Sequence, residues 1–308
     1  IIGKVTWSFT KKRRDKTVSS YGNATIEYPE IKIDDNNNIA WASKVIQAKE
    51  YKKTKKDGTL YSKGKIFPAD DKGDISVELA YKYSDEGPVL IFTSLPKNVL
   101  SLADKFIEML ELKSRDVSKS ILEYYKSNTN KDSYITALEW FGEEHTVTKA
   151  IKLGIGIHYG DMPEAVRKAV EKDFRDRKLR VLIATSTIAQ GVNFPIKTII
   201  VHSLIIFYSE EEKKLKTISK RDFLNIVGRA GRPGKEAEGL ILYPVLTKTD
   251  EKLYKDYCLS NTADDIYSII FKILISRLSG DLTEEIFTNN LEYIFSASLL
   301  DILAEETG

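Results

Sequence analysis

The chain has 308 residues, 42% of them hydrophobic and 30% charged, which is enough to bury the core of one large domain or of a domain with appendages. Its 47 basic residues nearly balance its 45 acidic ones, so any site for a polyanion depends on local placement of charge. The single cysteine, Cys258, excludes a disulfide framework and a metal site built from several thiolates.

The same features indicate a cellular setting. A lone cysteine suits a reducing cytoplasm. Apolar runs stay well short of the roughly 20 residues that span a bilayer, and the first residues lack a signal-peptide pattern, so we expect a cytoplasmic protein without a membrane partner. The chain begins at Ile1 rather than at a methionine, and we therefore expect it to be a segment of a longer protein.

Residues 1–74 are predicted to form an N-terminal extension of short strands and basic loops. Thr6–Phe9 and Thr25–Tyr28 have the composition of strands. The basic run Lys11–Lys16 (KKRRDK) and the lysine-rich stretch Lys52–Lys65 allow two interpretations, a contact to a nucleic-acid backbone or a solvated surface loop. Such runs are common on protein surfaces, so the solvated loop is favoured.

From residue 75 to residue 248 the pattern alternates between helices and strands. Apolar runs of strand length are Val89–Phe92, Ile155–His158 and Val181–Ala184, and each is typical of a strand buried on both faces of a parallel sheet. Helical spacing is found around Ile75–Tyr83, Val99–Leu112, Ile121–Tyr125, Tyr134–Phe141 and Pro163–Arg177. The sequence therefore predicts an α/β domain whose ligand sites lie at the carboxyl ends of the strands.

Small polar residues follow each of the three predicted strands. They are Thr93 and Ser94, then His158 to Gly160, then Thr185 to Thr187. Hydroxyl and backbone N–H groups at one edge of a sheet can bind phosphates without reading bases. The alternative is that these residues are turns and helix caps, which Ser and Thr also favour.

Four stretches, taken in order, resemble the second RecA-like domain of a superfamily 2 helicase of the DExH kind, in the branch of archaeal repair helicases and exosome-associated RNA helicases. They are VLIFTS from Val89, GIGIHYGDMP from Gly154, VLIATSTIAQGVNFP from Val181 and NIVGRAGRPG from Asn225. The first, third and fourth are similar to motifs IV, V and VI of that family. The resemblance covers about residues 75–245 and implies a three-layer RecA-like fold, a parallel sheet flanked by helices.

The resemblance also implies a nucleotide site. Arg229 and Arg232 match the arginines that reach the ATP phosphates across an interdomain cleft, with Arg232 as the arginine finger. Arginine suits this role because its planar guanidinium stays charged. The motif V and VI positions near the nucleotide are Gly191, Asn193, Asn225 and Gly228. Asn225 departs from the family, which usually has glutamine there, so an amide contact to the nucleotide is either lost or supplied by a water.

A nucleic-acid track is implied beside the nucleotide site. Thr185 matches a motif V contact to the nucleic-acid backbone, and the further predicted contacts are Thr93, Ser94, His158, Gly160 and Ser186. Between motifs V and VI, Thr198–Phe207 and Leu215–Ile218 predict a β-hairpin with a charged tip. Related helicases use a hairpin here to separate the duplex, with Phe207 or Tyr208 as stacking residues. An ordinary sheet hairpin explains the pattern equally well.

The sequence lacks the other half of an ATPase site. Gly58–Lys65 (GTLYSKGK) fails the spacing of a phosphate loop, and Asp85-Glu86 does not follow an apolar run as a magnesium-binding box would. The resemblance therefore implies that ATP and Mg²⁺ bind with a preceding RecA-like domain, that a single-stranded or partly duplex nucleic acid is the partner, and that the chain alone is inactive. The alternative function is a non-hydrolysing nucleic-acid-binding or scaffold module.

Residues 249–308 are predicted to be a helical extension. Ile266, Ile269, Ile270 and Ile273 fall on one face of a helix, and Leu291–Leu303 suggests another. Relatives begin a winged-helix domain in this region. The segment is either the start of such a domain or a set of helices that caps the sheet.

Overall fold

The computed structural model describes residues 2–14, 17–27, 31–34, 37–39, 42–51, 64–113, 129–189, 196–230 and 239–259 of the chain. The chain divides into two compact units, Ile1–Cys258 and Leu259–Gly308. Apart from Leu259, the described residues belong to the first unit.

One eight-stranded sheet forms the centre of the first unit. In spatial order its strands are β5 (Ala42–Gln47), β2 (Thr17–Glu27), β1 (Ile2–Arg14), β14 (Leu240–Val245), β11 (Thr198–Ser203), β8 (Val89–Thr93), β10 (Val181–Ala184) and β9 (Ile155–His158). The six strands β1, β14, β11, β8, β10 and β9 are neighbours in this order, and each neighbouring pair is parallel. At the other side β2 pairs antiparallel with both β1 and β5. The predicted α/β fold, a parallel sheet flanked by helices with a β-rich N-terminal part, is confirmed.

Seven α-helices are described in the first unit. They are α1 (Lys72–Tyr83), α2 (Pro96–Lys113), α3 (Asp132–Phe141), α4 (Thr146–Lys152), α5 (Glu164–Arg175), α6 (Lys220–Val227) and α7 (Lys248–Tyr254). Side chains before the first turn set several of these starts, since Asp71 accepts a hydrogen bond from the Asp74 N–H before α1, at 2.9 Å, and Ser219 accepts one from the Asp222 N–H before α6, at 3.0 Å. A 3₁₀ turn (Ser186–Ala189) follows β10, and a π-helical turn (Lys255–Leu259) follows α7.

The hydrophobic core surrounds the middle strands. Every residue of β8, β9 and β10 is buried, as expected for strands covered on both faces. Gly156 in β9 is closely packed, since an added Cβ would lie 2.8 Å from Leu182 Cδ1 and would require that side chain to shift. The strand ends therefore project from a fully buried centre of the sheet.

The N-terminal strands are longer than predicted. Thr6–Phe9 lies inside β1, and most of Thr25–Tyr28 lies inside β2. The interpretation of the basic run as a loop is wrong for Lys11–Arg14, which belongs to β1 and pairs with β2 from Thr17 to Ser20. Local hairpin pairing with β2 outweighs the charge repulsion that made the run look like a loop.

Small two-stranded sheets complete the unit. β3 (Ile31–Asp34) pairs with β4 (Asn37–Ile39), and β6 (Lys49–Tyr51) pairs with β7 (Lys65–Phe67). β12 (Ile205–Ser209) and β13 (Lys214–Thr217) form the hairpin predicted between motifs V and VI. The predicted first arm, Thr198–Phe207, is divided at Leu204, because its first half is the central strand β11.

The remaining predictions divide between described and undescribed residues. The helices predicted at Ile75–Tyr83, Val99–Leu112, Tyr134–Phe141 and Pro163–Arg177 correspond to α1, α2, α3 and α5. The helix predicted at Ile121–Tyr125 and those after Asn261 lie outside the described residues. Over the described ranges, no helix has the length and apolar character of a membrane span.

Candidate functional site

The ends of three parallel strands bring the predicted polar residues to one edge of the sheet. Ala184 of β10 pairs with Phe92 of β8 and with His158 of β9. Thr93 and Thr185 therefore follow paired positions, and the Thr185 N–H donates a hydrogen bond to the His158 carbonyl oxygen, at 3.1 Å. The candidate site is this carboxyl edge of the sheet.

A chain of hydrogen bonds joins the motif V turn to strand β9. His158 Nε2 lies 2.8 Å from Glu171 Oε1, and His158 Nδ1 lies 3.3 Å from Thr187 Oγ1, which is itself 3.2 Å from Thr185 Oγ1. A carboxylate can only accept, so the neutral imidazole donates from Nε2 and accepts at Nδ1 from the Thr187 hydroxyl. Because the Thr187 proton is used in this way, the Thr185 hydroxyl donates to Thr187.

The His158 imidazole is buried and neutral in this arrangement. Burial lowers its pKa below the ordinary value of 6.5, and the hydrogen bond to Glu171 opposes that effect only in part. A neutral ring keeps the direction of the hydrogen-bond chain fixed near pH 7.

Thr93 and Ser94 have different surroundings at the end of β8. Thr93 is fully buried, and its Oγ1 accepts a hydrogen bond from Asn98 Nδ2 at 3.2 Å. Ser94 is half-buried; its N–H donates to the Ser203 carbonyl oxygen at 3.1 Å, and its hydroxyl donates to the Ile205 carbonyl oxygen. Ser94 thus ties the end of β8 to the base of the β12–β13 hairpin.

Gly160 and Ser186 lie beside the same turn. Gly160 is exposed, and its carbonyl oxygen accepts a hydrogen bond from Arg167 at 3.2 Å. A Cβ at Gly160 would lie 3.3 Å from Thr187 Cγ2, so the glycine permits close contact with the motif V turn. Ser186 is half-buried at the start of the 3₁₀ turn. The sheet edge therefore brings together the residues predicted from motifs IV and V and from the stretch between them.

The first part of motif VI lies against motif V. Helix α6 contacts the 3₁₀ turn, and Ala230 forms a parallel backbone bridge with Ile196. Asn225 and Gly228 are exposed on α6 and at its end, whereas Arg229 is only 7% exposed. A Cβ at Gly228 would lie 2.9 Å from the Leu224 carbonyl oxygen, so glycine is required for the tight end of α6. The described start of motif VI, up to Ala230, therefore lies beside the 3₁₀ turn of motif V.

A family comparison fits this geometry. The model of the helicase conserved C-terminal domain matches residues 72–234, which include α1, the carboxyl edge of the sheet and motif VI. The chain belongs to this helicase C-terminal domain family. The resemblance to the DExH branch of superfamily 2 is confirmed.

Several curated proteins are similar to this helicase domain. The Hachiman protein HamB of Bacillus cereus is 34% identical over 192 residues, which are 62% of this chain and 16% of HamB. The ATP-dependent DNA helicase Hel308 of Thermoplasma volcanium is 26% identical over 219 residues, 70% of this chain and 29% of Hel308. The human exosome RNA helicase MTR4 is 28% identical over 217 residues, 68% of this chain and 19% of MTR4. The chain thus corresponds to less than a third of the length of each.

The hairpin of the helicase domain exposes apolar side chains. Phe207 is 55% exposed and Tyr208 is 50% exposed, and Ile206 and Leu215 are exposed beside them. Tyr208 pairs with Leu215 across the hairpin, so both lie on one face. Because β12 continues from β11, this apolar surface projects from the carboxyl edge.

A polar cavity of about 340 Å³ opens at the same edge of the helicase domain, between α1, α2 and the end of β11. The Ser76 hydroxyl donates to the Lys72 carbonyl oxygen at 2.7 Å, so His202 Nδ1, 3.1 Å away, donates to Ser76 Oγ. Burial lowers the pKa of His202 to about 4, and the nearby Lys72 charge adds to the effect. The lining lysines pair with aspartates: Lys72 with Asp250, and Lys105 with Asp71 in the lining and with Asp74 behind it.

Some predicted site residues of the helicase domain remain predictions. Gly191, Asn193 and Arg232 lie outside the described residues. Within the described ranges, no group of three or more His, Cys, Asp or Glu side chains is placed to hold a metal ion.

Sequence reasoning missed Glu171 and Asn98, which orient predicted residues of the site. Glu171 binds His158, and Asn98 binds Thr93. A signal for Glu171 was present, since a histidine at the end of a buried strand requires a polar partner, and the next helix offers one. The sequence alone does not select Glu171 from the other charged residues of α5.

Proposed function

We propose that this chain is the C-terminal motor domain of an ATP-dependent helicase that acts on DNA or RNA. In this proposal Arg232, with Arg229 beside it, reaches an ATP site shared with a preceding RecA-like domain. The carboxyl edge of the sheet holds one strand of the nucleic acid. The contact between helix α6 and the 3₁₀ turn Ser186–Ala189 carries the proposal, because it brings motif VI beside the motif V residues at that edge. The backbone bridge between Ala230 and Ile196 adds a link to the residue that follows motif V.

The proposed nucleotide contacts come from motifs V and VI. ATP supplies the phosphoryl group, and an arginine guanidinium stabilises the charge that develops on it during transfer. Asn225 and Gly228 are exposed at α6, which supports their placement beside a nucleotide held by the partner domain, and Gly191 and Asn193 complete the set. Asn225 is one methylene shorter than the usual glutamine, so its contact is proposed to include a water.

Magnesium is proposed to bind to the preceding domain, together with the triphosphate. The sequence of this chain has no phosphate loop that could hold the β- and γ-phosphates. On its own the chain is therefore proposed not to hydrolyse ATP. Closure of the two domains around ATP and a bound strand, followed by opening after hydrolysis, would move the domain along the strand.

The proposed strand-binding groups are the hydroxyl and N–H groups of the carboxyl edge. Ser94, Gly160 and Ser186 are at least partly exposed there and can contact the strand directly. The other predicted residues, Thr93, His158 and Thr185, are buried beneath this surface and would hold it in place. Contacts of this kind bind the sugar-phosphate backbone and tolerate any base sequence. The apolar hairpin with Phe207 and Tyr208 is proposed to separate the duplex by stacking on its last base pair.

A second candidate function is a scaffold that binds nucleic acid without hydrolysis. The replacement of the usual glutamine by Asn225 favours it, because a nucleotide contact is weakened. The intact pair Arg229 and Arg232 favours the motor.

The decisive experiment is nucleic-acid-stimulated ATPase in the protein that contains this domain and the preceding RecA-like domain. Arg232→Ala is expected to lower kcat by about 10³-fold, the usual cost of a lost arginine finger, while single-strand affinity stays unchanged. Arg175→Ala, an exposed arginine at the end of α5, is the matched control and should have no effect. Equal and negligible rates in the wild type and in Arg232→Ala would contradict the motor and favour the scaffold.

A further inference from the structure

The N-terminal strands extend past the sheet as a two-stranded ribbon. β1 pairs with β14 only from Ile2 to Thr6, and β5 pairs with β2 only from Asn23 to Glu27. Among the described strands, Phe9–Arg14 pairs solely with Thr17–Gly22. Six residues at about 3.4 Å each give this ribbon a length of about 20 Å.

The ribbon leaves the sheet at the carboxyl edge. β1 is parallel to β14, and β14 is parallel to β11, so the C-terminal half of β1 points in the same direction as the ends of the central strands. Neighbouring strands lie about 4.8 Å apart, which places β1 about 10 Å from β11, the strand that leads into the β12–β13 hairpin. The ribbon and the hairpin therefore continue from two strands that end at one edge, two strand positions apart.

The base of the ribbon is fixed by packing. An added Cβ at Gly22 would lie 2.0 Å from Trp7 Cζ2, so the indole of Trp7 occupies the space above Gly22. The Gly22 carbonyl oxygen accepts a hydrogen bond from the Ala48 N–H at 2.8 Å. These contacts attach the ribbon to the sheet and leave its outer part as an isolated strand pair, a structure of marginal stability in water without a partner.

The ribbon carries a concentration of positive charge. Its strands contain Lys11, Lys12, Arg13 and Arg14 and no acidic residue. With Asp15 and Lys16 between the strands, residues 9–22 have five cations and one carboxylate, a net charge of +4 against +2 for the whole chain. The rest of the chain therefore has a net charge of −2. The local field, rather than the overall charge, favours a polyanion.

We propose that this basic ribbon binds the phosphates of the duplex ahead of the strand-separating hairpin. The inference rests on the proposed function and adds a second contact surface to it. A two-stranded β-ribbon fits the roughly 12 Å width of a DNA major groove, and lysine and arginine side chains neutralise phosphates without reading sequence. A duplex that reaches the hairpin arrives at the same edge as the ribbon, whose strand β1 lies about 10 Å from β11.

The test compares two substrates and two variants of the 308-residue chain. The ribbon variant is Lys11→Gln, Lys12→Gln, Arg13→Gln and Arg14→Gln. The control variant replaces by glutamine the same number of exposed cations on α5 and the turn after it, which lead to the opposite edge of the sheet: Lys168, Lys172, Arg175 and Arg177. Fluorescence anisotropy measures the Kd of each protein for a single strand and for a fork with one single-stranded tail, both as DNA and as RNA, over a series of salt concentrations.

The ribbon variant is expected to bind the fork at least about tenfold more weakly and to lose about 3 from the magnitude of the salt slope. Its single-strand affinity and that of the control variant should equal the wild type. A larger loss on the DNA fork than on the RNA fork assigns the ribbon to DNA, and the reverse assigns it to RNA. Circular dichroism confirms that both variants are folded.

Three outcomes would contradict the ribbon proposal or its basis. If the ribbon variant binds the fork as tightly as the wild type, the ribbon does not contact the nucleic acid. If it loses affinity equally for single strand and fork, the ribbon does not act on the duplex. A wild-type chain that binds neither substrate contradicts the proposed function itself. The single-strand measurement thus separates failure of the ribbon from failure of the motor assignment.

Discussion

Thr187 Oγ1 lies 3.3 Å from His158 Nδ1, and this contact connects the motif V turn to the neighbouring strand β9. The Glu171 carboxylate on the other side of the ring fixes the tautomer, so the hydrogen bond has one direction. The position of the predicted backbone-binding residue Thr185 therefore depends on a helix that never touches the nucleic acid in our proposal. Variants of this chain of hydrogen bonds test that dependence.

Thr187→Val should lower the free energy of unfolding by about 1–3 kcal/mol, because it leaves the buried His158 Nδ1 without its donor while keeping the shape of the side chain. Thr187→Ser keeps the hydroxyl and should cost clearly less. Urea denaturation of both variants at pH 7.5 gives the comparison. If Thr187→Val is as stable as the wild type, the hydrogen bond to His158 contributes nothing measurable to stability.

Stability should fall with acidification because of His202. Its pKa is about 4 in the folded chain against 6.5 for an ordinary histidine, so the unfolded chain binds more protons between these values. The contribution is fully present above pH 6.5 and is lost as the pH falls toward 4, by an amount on the order of 3 kcal/mol. His202→Asn, which keeps a donor toward Ser76, should show a shallower pH dependence of the unfolding free energy. If the unfolding free energies of the variant and the wild type depend on pH in the same way, His202 is not the source of the pH dependence.

Tyr208→Ala should reduce unwinding in the two-domain protein by roughly tenfold, since stacking of a base on an aromatic ring is worth about 1–3 kcal/mol. Nucleic-acid-stimulated ATPase should be retained.

Replacement of the hairpin tip, Glu210–Lys213, by a tight Asn-Gly turn should reduce unwinding to a similar or larger extent. Trp140→Ala removes an exposed aromatic residue of α3 and serves as the control. If the variant with the shortened hairpin unwinds the duplex at the wild-type rate, the hairpin does not separate strands and is an ordinary sheet hairpin.

Gly228→Ala should impair ATPase of the two-domain protein more than it impairs folding. The added Cβ would meet the Leu224 carbonyl oxygen at 2.9 Å, so the last turn of α6 must open and move Arg229, at a cost of about 1–3 kcal/mol. Gly142→Ala is the matched control, because the Gly142 backbone (φ 78°, ψ 170°) lies in a region reserved almost entirely for glycine, where alanine costs about 1–3 kcal/mol, at a position outside motif VI. Similar melting temperatures with ATPase lost only in Gly228→Ala are expected. Equal activity in both variants would separate Gly228 from the nucleotide site.

The central strands could be predicted because their signals are local. Val89–Phe92, Ile155–His158 and Val181–Ala184 are uninterrupted apolar runs between helical patterns, and burial on both faces demands that composition. Once those strands were placed, the topology of parallel sheets put their polar ends at one edge.

The N-terminal ribbon was not predicted, because its own residues carry the wrong signals. Nothing in Lys11–Arg14 favours a strand, and consecutive cations oppose one. The ribbon is a hairpin in which Arg14 pairs with Thr17, and its first strand is anchored to β14, more than two hundred residues later in the chain. Helix α4 was missed for a different reason, since it is short and its N-cap is the unusual residue His145.

The β12–β13 hairpin was predicted in part. Its two arms and charged tip were evident from the sequence, but the division at Leu204 was not. The apolar run from Thr198 continues into the exposed β12, so composition alone does not mark where burial ends. The exposed Phe207 and Tyr208 are distinguished from core residues only by their place beyond the sheet.

The backbone bridge between Ile196 and Ala230 has a mechanical consequence. A backbone link has no side-chain rotamers that could absorb a displacement, so a shift of Ala230 is passed directly to Ile196, the residue that follows motif V. If a preceding domain closes on motif VI, as we propose, the movement would therefore reach the neighbourhood of motif V without a flexible side chain in between.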